Sequence, residues 1–270
     1  MPSIAAGRVN TPGSEADPFH WTSASRSDPG GVRKVNEDAC LEQSKCGVWA
    51  VADGMGGHSL GEFASRMAIR SLMDLPDDGS LEQRVLTAEA RLKDTNRRLR
   101  AEAARRDVPV IGTTIAALVV AGRRFACVWA GDSRVYLYRA GRLHQLTRDH
   151  SQIEAMRSLH TGSDDTLDRP PSNLITRALG GHDVIELDAV GADVTDGDIF
   201  LLCSDGLSNE VSEVAIGQAL LPGSCRLAVE TLVNLALERG GPDNITAVVV
   251  RADDLRSPDR TVLHPVLNAN

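Results

Sequence analysis

An apolar run that meets an aspartate recurs four times in this 270-residue chain, and that recurrence constrains the fold more than any other feature. Residues 48–52 (VWAVA) run into Asp53-Gly54, residues 126–130 into Gly131-Asp132-Ser133-Arg134, and residues 199–203 into Ser204-Asp205-Gly206-Leu207. Asp243-Asn244 stands just before the apolar run 245–250. Runs of this length, bounded by glycine and aspartate, read as buried strands. One Asp-Gly after such a run is an ordinary turn. Four carboxylates at the ends of four buried strands, joined by Glu37-Asp38, repel one another unless cations neutralise them, which is the pattern of a multi-metal site with oxygen ligands. The glycine-rich corner after Asp53 removes side-chain bulk, so backbone carbonyls can also approach a hard cation.

The rest of the chain fits one domain. Strand signals run nearly end to end and 42% of residues are hydrophobic, enough for a sizeable core. We expect a catalytic domain over residues 19–255, a mobile polar tail before it (1–18) and a loose tail after it (256–270). The formal charge is −8, and Arg97, Arg98, Arg100, Arg105 and Arg106 lie among glutamates at helical spacing. They read as a solvated helix face, so nucleic acid is not the expected partner. The five cysteines at 40, 46, 127, 203 and 225 form no Cys-x-x-Cys pair, and their odd number fits free thiols in a reducing compartment. The start has no apolar signal region and no run approaches the ~20 residues that span a bilayer. A cytoplasmic protein without a membrane partner is expected.

Periodicity places strands at 19–25, 39–42, 113–120, 124–130, 135–138, 142–146, 184–190, 198–203 and 245–251. Short turns between the strands of the middle group predict an antiparallel meander. Helical spacing begins at Ser59, and further helices are read over 80–106, with Ser80 as N-cap, and over 149–160, 211–221 and 224–239. Residues 161–172 (TGSDDTLDRPPS) are polar and aperiodic and read as a surface flap. Strands in groups followed by helices in groups argue for an α+β fold of antiparallel sheets covered by helices. Arg33, close in sequence to Glu37-Asp38, is a candidate oxyanion clamp because a guanidinium fork matches two phosphate oxygens.

Taken in order, Arg33 with Asn36-Glu37-Asp38, the stretch VADGMGGH at 51–58 with Gly61-Glu62, Gly112-Thr113-Thr114, Gly131-Asp132-Ser133-Arg134, Leu146-Thr147 with Asp149-His150-Ser151, ITRALG at 175–180, Ser204-Asp205-Gly206-Leu207 and Asp243-Asn244-Ile245-Thr246 resemble the metal-dependent protein phosphatases (PPM, type 2C serine/threonine phosphatases), in their bacterial branch. The resemblance covers about residues 19–251. It implies a four-layer αββα sandwich, two antiparallel sheets flanked by helix pairs, with two Mn²⁺ or Mg²⁺ ions at one edge. On the matching positions, Asp53 bridges the two ions, the Gly54 carbonyl binds the second, and Asp205 and Asp243 complete the first. Glu37 and Asp38 hold metal-bound waters, Arg33 binds the substrate phosphate, and Asp132 with Asp205 forms a weaker third site. All-oxygen ligands suit these ions and disfavour zinc.

The implied activity is hydrolysis of phosphoserine and phosphothreonine on cytoplasmic proteins, by attack of a metal-bridging hydroxide without a covalent intermediate. Phosphorylated proteins are the expected substrates, and a cognate Ser/Thr kinase system the expected counterpart. The cysteines agree, since no Cys-x5-Arg loop offers a thiolate nucleophile. Two positions depart from the pattern. Met55 stands where many eukaryotic relatives carry a histidine that protonates the leaving group, and residues 169–173 (RPPSN) replace a His-Pro-x-Arg-Asn element. His58, at the start of its helix, reads as structural. The alternative reading is a catalytically silent docking module of the same fold; degenerate members lose metal carboxylates, and none is missing here.

Overall fold

The computed structural model describes residues 18–56, 59–159 and 174–256. The expected tails apart from residues 18 and 256, together with His58 and the flap expected at 161–172, lie outside the described residues. One sheet contains β1 (Phe19–Asp28), β7 (Arg134–Arg139), β8 (Arg142–Gln145), β10 (Ile199–Cys203) and β11 (Ile245–Asp254), in the order β1-β11-β10-β7-β8. The other contains β2 (Asp38–Gln43), β3 (Val48–Met55), β5 (Ile115–Ala121), β6 (Arg124–Ala130) and β9 (Asp188–Asp193), in the order β2-β3-β5-β6-β9, with β4 (Gly112–Thr113) paired to the end of β3. Every pairing is antiparallel.

The continuous apolar runs have a simple cause. Successive strand residues point to opposite faces, and the central strands are covered on both. On β3, Trp49 and Val51 face the other sheet while Val48, Ala50 and Ala52 face helices. On β10, Phe200 and Leu202 face between the sheets while Ile199, Leu201 and Cys203 face helices on the opposite side. Tilted and edge-on aromatic contacts, Trp21 with Trp49 at 5.4 Å and Phe125 with Phe200 at 4.8 Å, fill the space between the sheets.

Helices α1 (Ser59–Leu72) and α2 (Leu81–Arg106) cover the β2-containing sheet, and α5 (Glu213–Leu220) and α6 (Cys225–Glu238) cover the β1-containing sheet. The αββα expectation is therefore met. Ser80 caps α2 as read from sequence: its hydroxyl accepts from the Gln83 N–H and the Gln83 side chain accepts from the Ser80 N–H. Two short helices, α3 (Gln152–Leu159) and α4 (Asp205–Ser208), lie outside these layers' pairs. Among the described residues no helix is long and apolar enough to cross a membrane.

Two readings need correction. The expected meander is two hairpins in different sheets: β5 pairs with β6 and β7 with β8, but β6 and β7 do not pair, and Gly131-Asp132-Ser133 carries the chain from one sheet to the other. The strand expected at 184–190 forms later, as β9. That edge strand is largely exposed and its DAVGAD sequence lacks alternation, so its position is set by pairing with β6 rather than by its own pattern.

This topology gathers the acidic residues. β3 and β6 both run antiparallel to β5, so Asp53, near the end of β3, and Asp132, just past β6, lie at the same edge. The crossing at 131–133 starts β7 at that edge, and antiparallel pairing with β7 puts the end of β10, with Asp205, there too. The start of β11, after Asp243, is opposite the end of β10. Asp38, opening β2, is the cross-strand partner of Asp53.

Candidate metal centre

At this edge the charges are held by hydroxyls and amides around them. The Asp53 N–H donates to Thr114 Oγ1 at 2.9 Å, and the Asp53 carbonyl accepts from the Thr114 N–H at 2.8 Å and from Thr113 Oγ1 at 2.9 Å. Thr114 Oγ1 also bonds Ser133 Oγ at 2.7 Å, tying Asp53 to the turn that carries Asp132. Asp38 is buried, and its Oδ2 accepts from Ser204 Oγ at 2.8 Å and Thr246 Oγ1 at 2.7 Å. Asn244 pins the Arg33 loop: its Nδ2 donates to the carbonyls of Pro29 and Val35, both at 3.0 Å, and its Oδ1 accepts from the Glu37 N–H at 2.8 Å.

The glycines at the edge are required by close approach. A Cβ on Gly54 would stand 2.1 Å from the Gly61 carbonyl oxygen, and one on Gly61 would stand 2.5 Å from Glu37 Oε1. Hence the first turn of α1 packs directly against Gly54 and the Glu37 carboxylate, with no side chain between.

Electrostatics mark the cluster as strained by like charge. Burial pushes Asp38 up to about 7, opposed by its two hydroxyl donors and reinforced by Asp205 and Asp243. Burial also pushes Asp132 up to about 7, with Asp205 adding to it. Asp53 is raised well above the ordinary carboxylate range by desolvation and then by Asp38, Asp205, Asp132 and Asp243. Asp205 is raised by burial and by Asp243. Arg33 faces this group at its rim, its half-exposed guanidinium pairing through Nη2 with Asp243 Oδ2 at 2.9 Å, while Arg134 acts on Asp132.

These residues fit a pair of hard divalent cations. Asp38 Oδ1 and Asp132 Oδ1 are buried without a hydrogen-bond partner, although a buried carboxylate oxygen normally has one. The donors are all oxygens, and five mutually repelling aspartates are stabilised by positive charge placed among them. Among the described residues no three Asp, Glu, His or Cys side chains close into a finished cage on their own. Backbone oxygen and water would complete a six-coordinate shell, as is usual for Mg²⁺.

The sequence profile described as Protein phosphatase 2C matches residues 32–234. The chain belongs to this family. A solved structure described as PppA, a key regulatory component of T6SS in Pseudomonas aeruginosa, is 42% identical and superposes with a TM-score of 0.81, covering 86% of this chain and 98% of that one. The catalytic domain of the serine/threonine protein phosphatase PstP in complex with two manganese ions is 37% identical with a TM-score of 0.78, over 87% of this chain and all of that one. The curated PstP of Mycobacterium tuberculosis is 38% identical over 235 residues, 86% of this chain. The chain spans 45% of that relative's length.

Within this phosphatase 2C chain the described residues of the sequence motifs support one another. Arg134 forks onto Asp149, Nε to Oδ1 at 2.9 Å and Nη2 to Oδ2 at 2.7 Å, bracing the start of β7. His150 Nδ1 accepts from the Gly131 N–H at 3.2 Å, so Nε2 carries the proton and donates to Asp188 Oδ2 at 3.1 Å. Asp188 Oδ1 in turn accepts from Arg177 Nη1 at 3.0 Å. The Asp149-His150 and ITRALG motifs thus brace the turn carrying Asp132. Met55, paired with Gly112 across β4, offers no transferable proton. The cysteines are all free, and burial pushes Cys203 up to about 12, far from a thiolate nucleophile.

Sequence reading assigned no role to Ser204, Thr246 or Asn244. The signal was their position beside Asp205 and Asp243, but their partners are about 40 to 200 residues away in the chain. Thr246→Val keeps the shape and removes one of the two donors to buried Asp38. It is expected to lower the unfolding free energy by about 1–3 kcal/mol, measured by urea denaturation in chelator. An unchanged midpoint would show that Asp38 does not depend on that hydroxyl.

Proposed function

We propose that this chain is a metal-dependent protein-serine/threonine phosphatase, and that residues 19–255 are its catalytic domain. The observation that carries the reading is the single edge where Asp38, Asp205, Asp132 and Asp243 converge on buried Asp53 and raise its affinity for protons beyond the effect of burial, with Arg33 paired to Asp243 at the rim. The relatives' names support the substrate class: phosphoserine and phosphothreonine on proteins. The manganese-bound PstP structure supports the metal class, Mn²⁺ or Mg²⁺.

In this assignment Asp53, the Gly54 carbonyl, Asp205 and Asp243 would hold two ions, Glu37 and Asp38 would anchor water beside them, and Asp132 with Asp205 would hold a weaker third ion. When bound, the ions supply acidified water as nucleophile and neutralise charge on the phosphoryl oxygens. Arg33, on a loop fixed by Asn244, orients the phosphate through its planar fork. Its reach to Asp243 places the guanidinium at the rim of the carboxylate edge. Ser204 and Thr246 hold the Asp38 carboxylate in one orientation. With Met55 in place of a histidine, protonation of the leaving alkoxide falls to water or to another group. The counterpart in the cell is a Ser/Thr kinase acting on the same cytoplasmic phosphoproteins.

The test is hydrolysis of a phosphothreonine peptide with Mn²⁺, with Mg²⁺ and with chelator. Turnover that requires the divalent ion and resists inhibitors of thiolate phosphatases is expected. Folded protein without turnover in any metal would overturn the reading in favour of a silent docking module.

A further inference from the structure

Beyond the catalytic edge, the outer face of the α1–α2 layer carries a groove of about 500 Å³. Its floor is Phe63 and Met67, four residues apart on α1 and partly exposed, and its walls carry Arg66 and Arg70 from α1 and Arg98 from α2, with Glu62 at one end. Residues four apart stack along one helix face. An apolar row and a basic row therefore run side by side along α1.

The charges around this groove are otherwise matched. Arg66 pairs with Glu62 at 2.7 Å, Arg97 with Asp94 at 2.7 Å, Lys93 with Glu89 at 3.0 Å, and Arg105 and Arg106 both with Glu102 at 2.6 Å. Arg100 pairs with Asp183, and Arg91 donates to the carbonyls of Ser71 and Met73 at the end of α1. Among the described residues, Arg70 and Arg98 make no ion pair or side-chain hydrogen bond, and both open into the groove. Unpaired guanidinium groups beside apolar surface, on a chain of net charge −8, form a local site complementary to acid. The Arg106 guanidinium lies over the Phe63 ring at 5.5 Å from its centroid, and the apolar floor still calls for more than an anion, since a bare phosphate would leave Met67 and the rest of the Phe63 face in water.

We propose that this groove docks an acidic, amphipathic segment of a partner protein, its apolar side chains on Phe63 and Met67 and its carboxylates on Arg70 and Arg98. The helix-in-groove and acidic-motif modes of peptide recognition combine there. The groove begins at Ser59, the first residue of α1, and Gly61 in that first turn packs on Gly54. A segment bound along α1 thus has one end beside the catalytic edge.

The test is fluorescence anisotropy with a fluorescein-labelled peptide of about 16 residues carrying two leucines four apart, flanked by glutamates. Three comparisons accompany it: the same peptide with serine for leucine, the same with lysine for glutamate, and inorganic phosphate as competitor. Saturable binding is expected for the first peptide only, weakened about tenfold or more by Arg70→Glu with Arg98→Glu. Arg70→Lys with Arg98→Lys, which keeps the charge, should retain most of it. Circular dichroism and melting verify that both double variants are folded. Absence of saturable binding below about 1 mM would overturn the proposal. So would equal affinity in the Glu variant, equal binding of the serine peptide, binding of the lysine peptide, or displacement by phosphate alone.

Discussion

Asp205→Asn is expected to lower kcat/KM for a phosphothreonine peptide by about three orders of magnitude or more, while the protein melts no lower than the parent in chelator. The carboxylate sits at the N-terminus of α4, at the edge shared by both sheets, beside Asp53 and within the field of Asp243. In the proposed centre it serves the first ion and the weaker third one, so the substitution removes one negative ligand from two places. Loss of a ligand that holds a nucleophile-generating ion removes transition-state stabilisation worth several kcal/mol, and each ~1.4 kcal/mol is tenfold in rate. The fold has no reason to suffer. Asparagine has the same shape, its carbonyl can still accept from Asn209 Nδ2, now 3.2 Å from Asp205 Oδ2, and one of several repelling charges disappears. Calorimetry should show weakened Mn²⁺ binding in the same protein. Activity above about a tenth of the parent's would remove Asp205 from the metal assignment.

How far the sequence reached depends on where each feature's information lies. The strands that carry the acids were legible because they are buried on both faces, which forces runs such as VWAVA and IFLLC, and because the chain must turn at Asp-Gly or Gly-Asp. Ser80 was legible as a cap because a capping box is local. The sheet change at Gly131-Asp132-Ser133 was not. A three-residue turn between apolar strands looks the same whether the chain folds back beside β6 or crosses over, and the choice is made by the pairing of β7 with β10, more than 60 residues along. β9 was misplaced for a related reason, since an exposed edge strand has no burial pattern to reveal it. The candidate site was legible as acids at strand ends. The hydroxyls of Ser204 and Thr246 and the amide of Asn244 were not, because serine, threonine and asparagine near turns serve local backbone bonds so often that a long-range role leaves no separate trace.

Asp132→Asn should make the chelated protein more stable, and the gain should grow with pH. Asp132 is buried, its Oδ1 has no hydrogen-bond partner, and desolvation followed by the field of Asp205 pushes it up to about 7. A carboxyl whose folded pKa lies above its unfolded value of ~3.9 binds protons more tightly in the native state, so it destabilises the fold as pH rises. The penalty is absent below about pH 4, grows between 4 and 7, and is complete above 7, where it amounts to at most ~4 kcal/mol. For a domain of this size, each kcal/mol is worth about 2–4 °C. In chelator at pH 8, the variant should therefore melt several degrees above the parent, while at pH 4 the two should coincide. Asp38, pushed up to about 7 by the same causes, remains in both proteins, so the variant should keep a smaller decline with pH rather than none. With Mn²⁺ added, the advantage should shrink, because bound cations reward the carboxylate that the chelated fold penalises. A variant that melts lower than the parent at pH 8 in chelator would mean that Asp132 is held by native hydrogen bonds rather than strained by its neighbours, and the inference from its orphaned oxygen to a cation ligand would fall with it.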